Sequence, residues 1–212
     1  MVFSELMAAG QAGDADAQFK LGSGYYYGNG TPIDREKAVE WWQKAAEQGH
    51  AGAQCSFGYC WYKGIVVEKD ITKAIEWFQK AAEQGDADAQ CHLGQFYTNG
   101  EGVTTNKTKA VEWFQKAAEQ GHVQAQLELA IHYDLGAGVP ENPTKAAEWF
   151  QKAAKNGNST AQIILGLFYY QGKGVPKSKE KAMEWWRIVL AKGNAEDERM
   201  LKNVFFNNNV IL

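Results

Sequence analysis

A glycine returns every 36 residues along this chain, without insertion or deletion, and this fixed period constrains the fold more than any other feature. Constant self-similarity at a period of ~20–50 residues is the signature of a solenoid of stacked structural units. The period also aligns the units with one another, so that recurring residues indicate structure and varying residues indicate function. The period glycines are Gly13, Gly49, Gly85, Gly121, Gly157 and Gly193.

Each unit is predicted to contain two helices joined by a turn. The second helix begins after Asp34, which can cap the first turn, and ends at Gly49, which suits a left-handed terminator. The first helix, from Asp14 to Tyr27, has a similar cap, and His50 offers a weaker one in the next unit. The glycine- and proline-containing segment 28–33 between the helices is predicted to form a turn.

The second helix carries an apolar stripe at helical spacing, formed in the first unit by Ala38, Trp41, Trp42 and Ala45. The first aromatic position is Trp in every unit, and this spacing predicts that the Trp row lies in the core. Truncation of Trp113 to alanine is therefore expected to cost ~3–5 kcal/mol. The Trp row consists of Trp41, Trp77, Trp113, Trp149 and Trp185.

One helical hairpin cannot bury its apolar face alone, so stacking must build the core. The sequence predicts an all-α, right-handed α/α solenoid of five 36-residue helix-turn-helix repeats with N- and C-terminal capping helices, forming a single domain over residues 1–212. The predicted cap is 1–13, the repeats are 14–49, 50–85, 86–121, 122–157 and 158–193, and the C-terminal cap and tail are 194–212. The tip 207–212 is expected either to pack back on the cap or to extend from it.

Composition excludes several classes of function. A net charge of −3 leaves no basic stripe for nucleic acid. No apolar run is long enough to insert into a membrane, and Met1–Gly10 does not have the pattern of a signal peptide. The three cysteines do not form an evident bridging pair. We therefore expect a cytoplasmic location, or a periplasmic or secreted one if a leader has been removed, and a monomeric protein.

The recurring pattern has Ala-Gln and Leu-Gly-x-x-Tyr in the first helix, and Lys-Ala-x-Glu-Trp-[Trp/Phe] in the second. It closely resembles the Sel1-like repeat, which belongs to the tetratricopeptide-like α/α superhelices. The resemblance covers about 190 of the 212 residues, with few departures: Val66 replaces a loop glycine and Ala130 replaces a packing glycine. It implies a bacterial adaptor, scaffold or host-interaction role through protein binding, and it implies no catalytic residues.

Candidate chemical motifs have simpler structural explanations. The Lys37, Glu40 and Trp41 cluster could suggest a catalytic carboxylate beside a cation, but it recurs in all five units and suits a surface pair. The glycine-containing loops lack the strand and lysine of a phosphate-binding loop. The histidines lack H-x-x-x-H spacing, and Cys91 and His92 point ~100° apart on a helix. We expect no catalytic, cofactor-binding or metal-binding residues.

A row of varying residues points away from the recurring face of the first helix. In related superhelices the first helices line the concave surface, so the resemblance implies that this row lines a partner-binding groove; the alternative is an ordinary solvated face. Its C-terminal aliphatic residues favour the binding surface. We call this set the variable face: Lys20, Ser23, Tyr27, Ser56, Tyr59, Lys63, His92, Gln95, Asn99, Glu128, Ile131, Leu135, Ile164, Leu167 and Gln171.

These observations predict a non-catalytic module that binds a partner protein or peptide in this groove. A first alternative is an immunity-type protein that binds and neutralises a cognate toxin, as some relatives with this repeat do. A second alternative is an enzyme such as a β-lactam-binding hydrolase, an activity proposed for cysteine-stapled relatives. No cofactor is expected for the binding role.

Overall fold

The computed structural model describes residues 3–208 and 210, and this part of the chain contains twelve α-helices and no strand. Apart from the short first helix, each of these helices has 13 residues. The bounds are α1 Phe3–Gln11, α2 Ala15–Tyr27, α3 Arg35–Glu47, α4 Ala51–Lys63, α5 Ile71–Glu83, α6 Ala87–Asn99, α7 Lys107–Glu119, α8 Val123–Leu135, α9 Pro143–Lys155, α10 Ser159–Gln171, α11 Lys179–Ala191 and α12 Ala195–Asn207.

The helices fall into two compact units, Met1–Thr105 with α1 to α6 and Asn106–Leu212 with α7 to α12. In the first unit, α2 packs with α3 and α4 with α5; in the second, α8 packs with α9 and α10 with α11. Stacked helical hairpins of this kind confirm the predicted all-α solenoid. The assignment of 1–212 to a single domain remains a prediction.

The predicted helix signals are confirmed. The Asp14 carboxylate accepts a hydrogen bond from the Ala17 amide at 2.7 Å, and the Asp34 carboxylate accepts one from Lys37. The weaker cap works in the same way, since Nδ1 of His50 accepts from the Ala53 amide at 3.1 Å. All six period glycines have positive φ, from +64° to +100°, which explains why glycine follows each second helix.

The structure corrects one prediction about the two adjacent aromatic residues in each second helix. The second aromatic of each pair is buried: Phe114 is 0% exposed and Trp186 is 2% exposed. The first is only half-buried in four of the five repeats, including Trp113. The Lys116 ammonium covers the outer face of Trp113, 4.1 Å from the ring centroid. Because adjacent helical residues point ~100° apart, only one of the two can face the core centre, so the full burial predicted for Trp113 is wrong.

A row of buried glutamines links consecutive repeats. Gln54 donates from Nε2 to the Ala46 carbonyl at 3.2 Å, and its Oε1 accepts from Gln84 Nε2 at 2.7 Å. Each glutamine of the recurring Ala-Gln pair is at most 5% exposed and donates to the carbonyl eight residues before it. A buried amide must be hydrogen-bonded to avoid a desolvation cost, so this row fixes the spacing of successive helices.

The last repeat and the C-terminal cap both depart from the recurring pattern. Lys192 occupies the position of the partner glutamine and donates from Nζ to Gln162 Oε1 at 3.0 Å. Leu201 of α12 is buried, and Phe205 lies 4.7 Å from Trp186 between ring centroids. The amide of Val210 donates to the Phe205 carbonyl, which closes the last turn of α12. The remaining tip residues 209, 211 and 212 lie outside the described residues.

Val66, in the turn of the second repeat, has a strained backbone conformation. Val66 has φ +66°, a conformation that the other four repeats assign to glycine and that costs a β-branched residue ~1–2 kcal/mol. Replacing Val66 with glycine removes this cost but adds ~0.5–1 kcal/mol of backbone entropy. We expect Val66→Gly to stabilise the protein by about 0.5–1 kcal/mol, measured by urea denaturation followed by circular dichroism.

The matched control for this prediction is Gly30→Val, the reciprocal change in the first repeat. A Cβ on Gly30 would have its nearest neighbour, Phe3, 3.5 Å away, so the conformation alone is tested. We expect Gly30→Val to destabilise by about 1–2 kcal/mol. A loss of stability in Val66→Gly would show that contacts of the valine side chain outweigh its backbone strain.

Candidate functional site

The variable face is accessible along its whole described length. None of its fifteen residues is buried, and the most exposed large apolar ones are Tyr27 at 66% and Leu135 at 69%. Two of the recurring residues of the same helices, Leu21 and Ala53, are 0% exposed. The first helices are therefore held by their recurring residues, which leaves this face free to differ between repeats.

In the first unit the variable face is aromatic and polar. Tyr59 of α4 lies 6.1 Å from His92 of α6 between ring centroids. The Lys63 ammonium lies over both tyrosines of α4, 5.8 Å from the Tyr59 centroid and 4.5 Å from that of Tyr62. Successive repeats thus bring together Tyr59, Lys63 and His92, three residues that the sequence placed on this face.

In the second unit the variable face is mainly aliphatic. Ile131 and Leu135 lie on α8, and Ile164 and Leu167 occupy the equivalent positions on α10. Leu135 is exposed and the other three are half-exposed. Aliphatic side chains at equivalent positions of two repeats form apolar surface of the type that marks interaction sites.

Several polar groups of the variable face are already engaged within the protein. The hydroxyls of Ser23 and Ser56 donate to the carbonyls four residues earlier in their own helices. Glu128 accepts a hydrogen bond from Gln124, and Gln171 donates to Asn208 beside the C-terminal cap. These four residues therefore contribute less to the recognition of a partner than the tyrosines, lysines and aliphatic residues.

Sequence reasoning missed a second row beside the variable face. Tyr26 and Tyr62 occupy equivalent positions of α2 and α4, and the Arg35 guanidinium lies 5.1 Å from the Tyr26 ring centroid. Burial raises the pKa of Tyr26, the Arg35 charge opposes this, and the nearby Tyr59 phenol adds to it. The sequence shows this row as a tyrosine that recurs 36 residues apart. The search for variable residues missed it because the row points to the side of the helix and not directly away from the recurring residues.

The cysteines lack the properties of a nucleophile. Cys55, Cys60 and Cys91 are free and buried. Burial raises the pKa of Cys60 to about 12, and burial beside the Asp86 carboxylate raises that of Cys55 further. The thiolate, which is the reactive form, is disfavoured in both residues. Burial also raises the pKa of Asp86, which caps α6 and accepts a hydrogen bond from the Cys55 thiol.

The histidines have structural contacts. His50 and His122 cap α4 and α8 through Nδ1, as predicted. His92 packs on Phe78, 4.6 Å between ring centroids, and His132 is buried with Nδ1 2.6 Å from the Ala137 carbonyl. Across residues 3–208 and 210, no three His, Cys, Asp or Glu side chains cluster as metal ligands would. The helices in this range are also too short or too polar to cross a bilayer.

The recurring lysine of the second helix has a packing role. Lys37 forms an ion pair with Asp34 at 2.9 Å, and its ammonium lies 5.5 Å from the Tyr25 ring centroid. The same lysine position covers the aromatic of the first helix in other repeats, at Trp61, Tyr133 and Tyr169. These contacts explain why lysine and the aromatic recur together, and they assign the motif to hairpin packing.

The sequence and fold match known proteins over nearly the whole chain. The family model described as Sel1 repeat matches residues 15–50, 51–86, 87–122, 123–158 and 159–194. These segments start one residue after the predicted repeats. Among curated proteins no match was found.

Three solved structures illustrate the similarity. Protein c5321, described as a protective antigen of uropathogenic Escherichia coli with an SLR fold, is 33% identical, with a TM-score of 0.84 over 97% of this chain and 44% of its own. The chain thus spans less than half of c5321. A Sel1 repeat protein from Oxalobacter formigenes is 32% identical, with a TM-score of 0.81 and coverage of 90% and 76%.

The third structure shares the fold at lower sequence similarity. It is immunity protein Pa5087 from Pseudomonas aeruginosa, which is 22% identical and has a TM-score of 0.57. The match covers 89% of this chain and 72% of Pa5087. At this identity the likeness concerns the fold alone.

Proposed function

Because the chain belongs to the Sel1 repeat family, whose repeats are typically protein-interaction modules, we propose that it binds a partner protein or peptide on the variable face. The observation that carries the proposal is that the first helices use one set of residues for packing and leave another set exposed. Their recurring alanines and glutamines are buried and hold the stack, whereas all fifteen variable-face residues remain at least partly exposed.

The chemistry of the face supports binding of a polypeptide. Tyrosines offer large contact area at low conformational cost, and the aliphatic residues of the second unit offer apolar anchors. Tyr27 and Leu135, both about two-thirds exposed, are the most accessible of these groups. A partner that buried either side chain would gain apolar contact area there.

A binding role also agrees with the titratable groups. The family is generally non-enzymatic. The buried thiols disfavour the thiolate form, His50 and His122 are used as caps, and His132 is a core residue. We therefore expect no β-lactam hydrolysis or other turnover that depends on a single polar residue of the variable face.

A specific form of this role is that of an immunity protein, which would bind and neutralise a toxin. The fold shared with Pa5087 motivates this alternative. A toxin encoded beside this chain would be the decisive partner to test. If co-expression with this chain does not relieve the toxicity of such a neighbour, the immunity role is wrong and a signalling or scaffolding adaptor remains.

The test combines partner capture with a double variant. The partner is identified by affinity capture and mass spectrometry, purified, and its affinity measured by calorimetry. We expect Tyr59→Ala combined with Leu167→Ala to abolish binding, because each anchor contributes ~2 kcal/mol or more in a typical interface. Both side chains are only half-buried in the free protein, so helicity and melting temperature should change little.

The matched control is Ile33→Ala combined with Ile188→Ala. Both isoleucines are exposed, at 63% and 44%, and both lie outside the variable face. The control should bind the partner with unchanged affinity. Binding that survives the first double variant but is lost in the control would place the interface on the loops or on α11, and the assignment to the variable face would be wrong.

A further inference from the structure

The C-terminal ends of α2 and α4 and the middle of α6 form a cluster of rings and cations in the first unit. We call it the tyrosine patch and define it as Tyr26, Arg35, Tyr59, Tyr62, Lys63 and His92. Tyr59 and Tyr62 lie 6.4 Å apart between ring centroids, and Tyr62 lies 6.1 Å from His92. Arg35 covers Tyr26, and Lys63 covers Tyr59 and Tyr62.

The cations of the tyrosine patch lack carboxylate partners. Within residues 3–208 and 210, neither Lys63 nor Arg35 forms an ion pair, whereas other lysines of this unit do. The paired lysines are Lys37 with Asp34, Lys69 with Glu101, and Lys73 with Asp70, at 2.9, 3.7 and 3.7 Å. Lys63 and Arg35 are held instead by the faces of tyrosine rings.

Acidic residues are also absent from the variable face in this unit. Its nine residues on α2, α4 and α6 include Lys20 and Lys63 but no Asp or Glu. The acids that point the same way, Asp16 and Asp88, lie in the first turns of their helices. Their register is 11 residues before that of Lys63, which corresponds to ~16 Å along a helix, although Asp88 lies one turn before His92 on α6. Lys69 also lies over Tyr62, 5.6 Å from the ring centroid, but it is paired with Glu101. The unpaired charges on Lys63 and Arg35 are therefore cationic, although the chain carries a net charge of −3.

We propose that the tyrosine patch binds an acidic segment of a partner polypeptide. A side-chain carboxylate of the segment contacts the Lys63 ammonium and the hydroxyls of Tyr59 and Tyr62, which can donate hydrogen bonds, while its apolar side chains lie on the rings. Arg35 provides a second carboxylate contact beside Tyr26. This inference rests on the proposed function and specifies the chemistry of the partner.

Charge and ring geometry favour this occupant over other anions. A nucleic acid would require many cations to replace condensed counterions, and the patch has two unpaired ones. Ring faces keep the Lys63 ammonium in one place, so less side-chain entropy is lost when a carboxylate binds than at a freely mobile lysine. The tyrosines add apolar area that an inorganic anion could not use.

The experiment uses a fluorescein-labelled peptide of repeated Phe-Asp-Glu-Leu and its Phe-Asn-Gln-Leu counterpart, with binding to the full chain followed by fluorescence anisotropy. We expect the acidic peptide to bind at least about fivefold more tightly, the factor that corresponds to ~1 kcal/mol for a charge pair. Lys63→Gln should weaken this preference to the part that Arg35 supplies, whereas Lys63→Arg, which keeps the charge, should retain it.

The matched control is Lys80→Gln. Like Lys63, Lys80 covers an aromatic ring, with its ammonium 4.0 Å from the Trp77 ring centroid. It lies on α5, outside the patch. It should change the affinity less than about twofold, and each variant is checked by circular dichroism. Equal binding of the acidic and neutral peptides, or equal effects of Lys63→Gln and Lys80→Gln, would overturn the inference.

The purified partner separates this inference from the proposed function. If Tyr59→Ala with Leu167→Ala abolishes partner binding but Lys63→Gln does not weaken it, the variable face binds a partner without acidic recognition and only the inference fails. If neither change affects partner binding, the proposed function fails as well.

Discussion

Truncation of Phe114 to alanine is expected to destabilise the protein by about 3–5 kcal/mol, the cost of removing a large buried aromatic. Phe114 is 0% exposed, and its ring lies 5.5 Å from that of buried His132. The tightly packed surroundings can collapse only partly into the space that is left, so the lost contacts are not recovered. Urea denaturation followed by circular dichroism measures the loss.

The adjacent Trp113 provides the matched control. Trp113→Ala removes a larger side chain, yet the indole is half-buried and its outer face contacts the Lys116 ammonium. We expect this change to cost about 1–2 kcal/mol, roughly half the transfer and packing energy of a fully buried aromatic. If Trp113→Ala is as costly as Phe114→Ala, the first aromatic is a full core residue, and the assignment of the core position to the second aromatic alone is wrong.

This pair of residues shows where sequence reasoning reached its limit. A helical stripe about 100° wide can include either of two adjacent aromatics, and periodicity alone does not decide which faces the neighbouring helix. Caps and terminators were predictable because their causes are local: Asp34 bonds an amide three residues away, and Gly49 supplies its own φ. The burial of Phe114 depends instead on a helix from another part of the chain.

The glutamine row makes the same point for polar residues. A glutamine recurs at the position of Gln54 in every repeat, which indicated a structural role. The hydrogen-bond partners of Gln54, however, lie 8 and 30 residues away in sequence. Gln84 caps the C-terminal end of the other helix of the same hairpin and Ala46 lies in the preceding repeat, so only the packing of three helices brings them together. The exposure of the variable face could be predicted, because it follows from the direction of the recurring residues. The identity of its partner could not be predicted, since surface residues carry no internal constraint that identifies a ligand.

One departure from the repeat has a packing explanation. Gly22 and Gly166 face the indoles of Trp42 and Trp186, and a Cβ at either glycine would overlap the indole. Gly58 faces Phe78 instead, and a Cβ there would lie 3.2 Å from the Trp77 Cβ and 3.4 Å from the Phe78 ring. The fourth repeat has Ala130 together with Phe150 at the same two positions, and both are buried. A methyl group is therefore accommodated beside phenylalanine and excluded beside tryptophan.

Gly166→Ala is accordingly expected to destabilise the protein by about 3 kcal/mol. The Trp186 indole is 2% exposed and donates a hydrogen bond to the Ile163 carbonyl at 3.1 Å, so it cannot move aside without losing that bond. Gly58→Ala is the matched control and should lie within about 1 kcal/mol of the parent, since the gain in helix propensity offsets the tighter contact. Urea denaturation of both variants measures the difference.

A double variant tests the steric cause directly. Gly166→Ala combined with Trp186→Phe reproduces the pair of Ala130 and Phe150 that the fourth repeat already contains. Trp186→Phe alone should be destabilising, because it removes the indole hydrogen bond and leaves space beside Gly166. The added methyl group fills part of that space, so the double variant should be about 1–3 kcal/mol more stable than the sum of the single changes predicts. Additive effects would show that the alanine methyl and the indole do not compete for the same volume, and the link between glycine and tryptophan in this repeat would then need another cause.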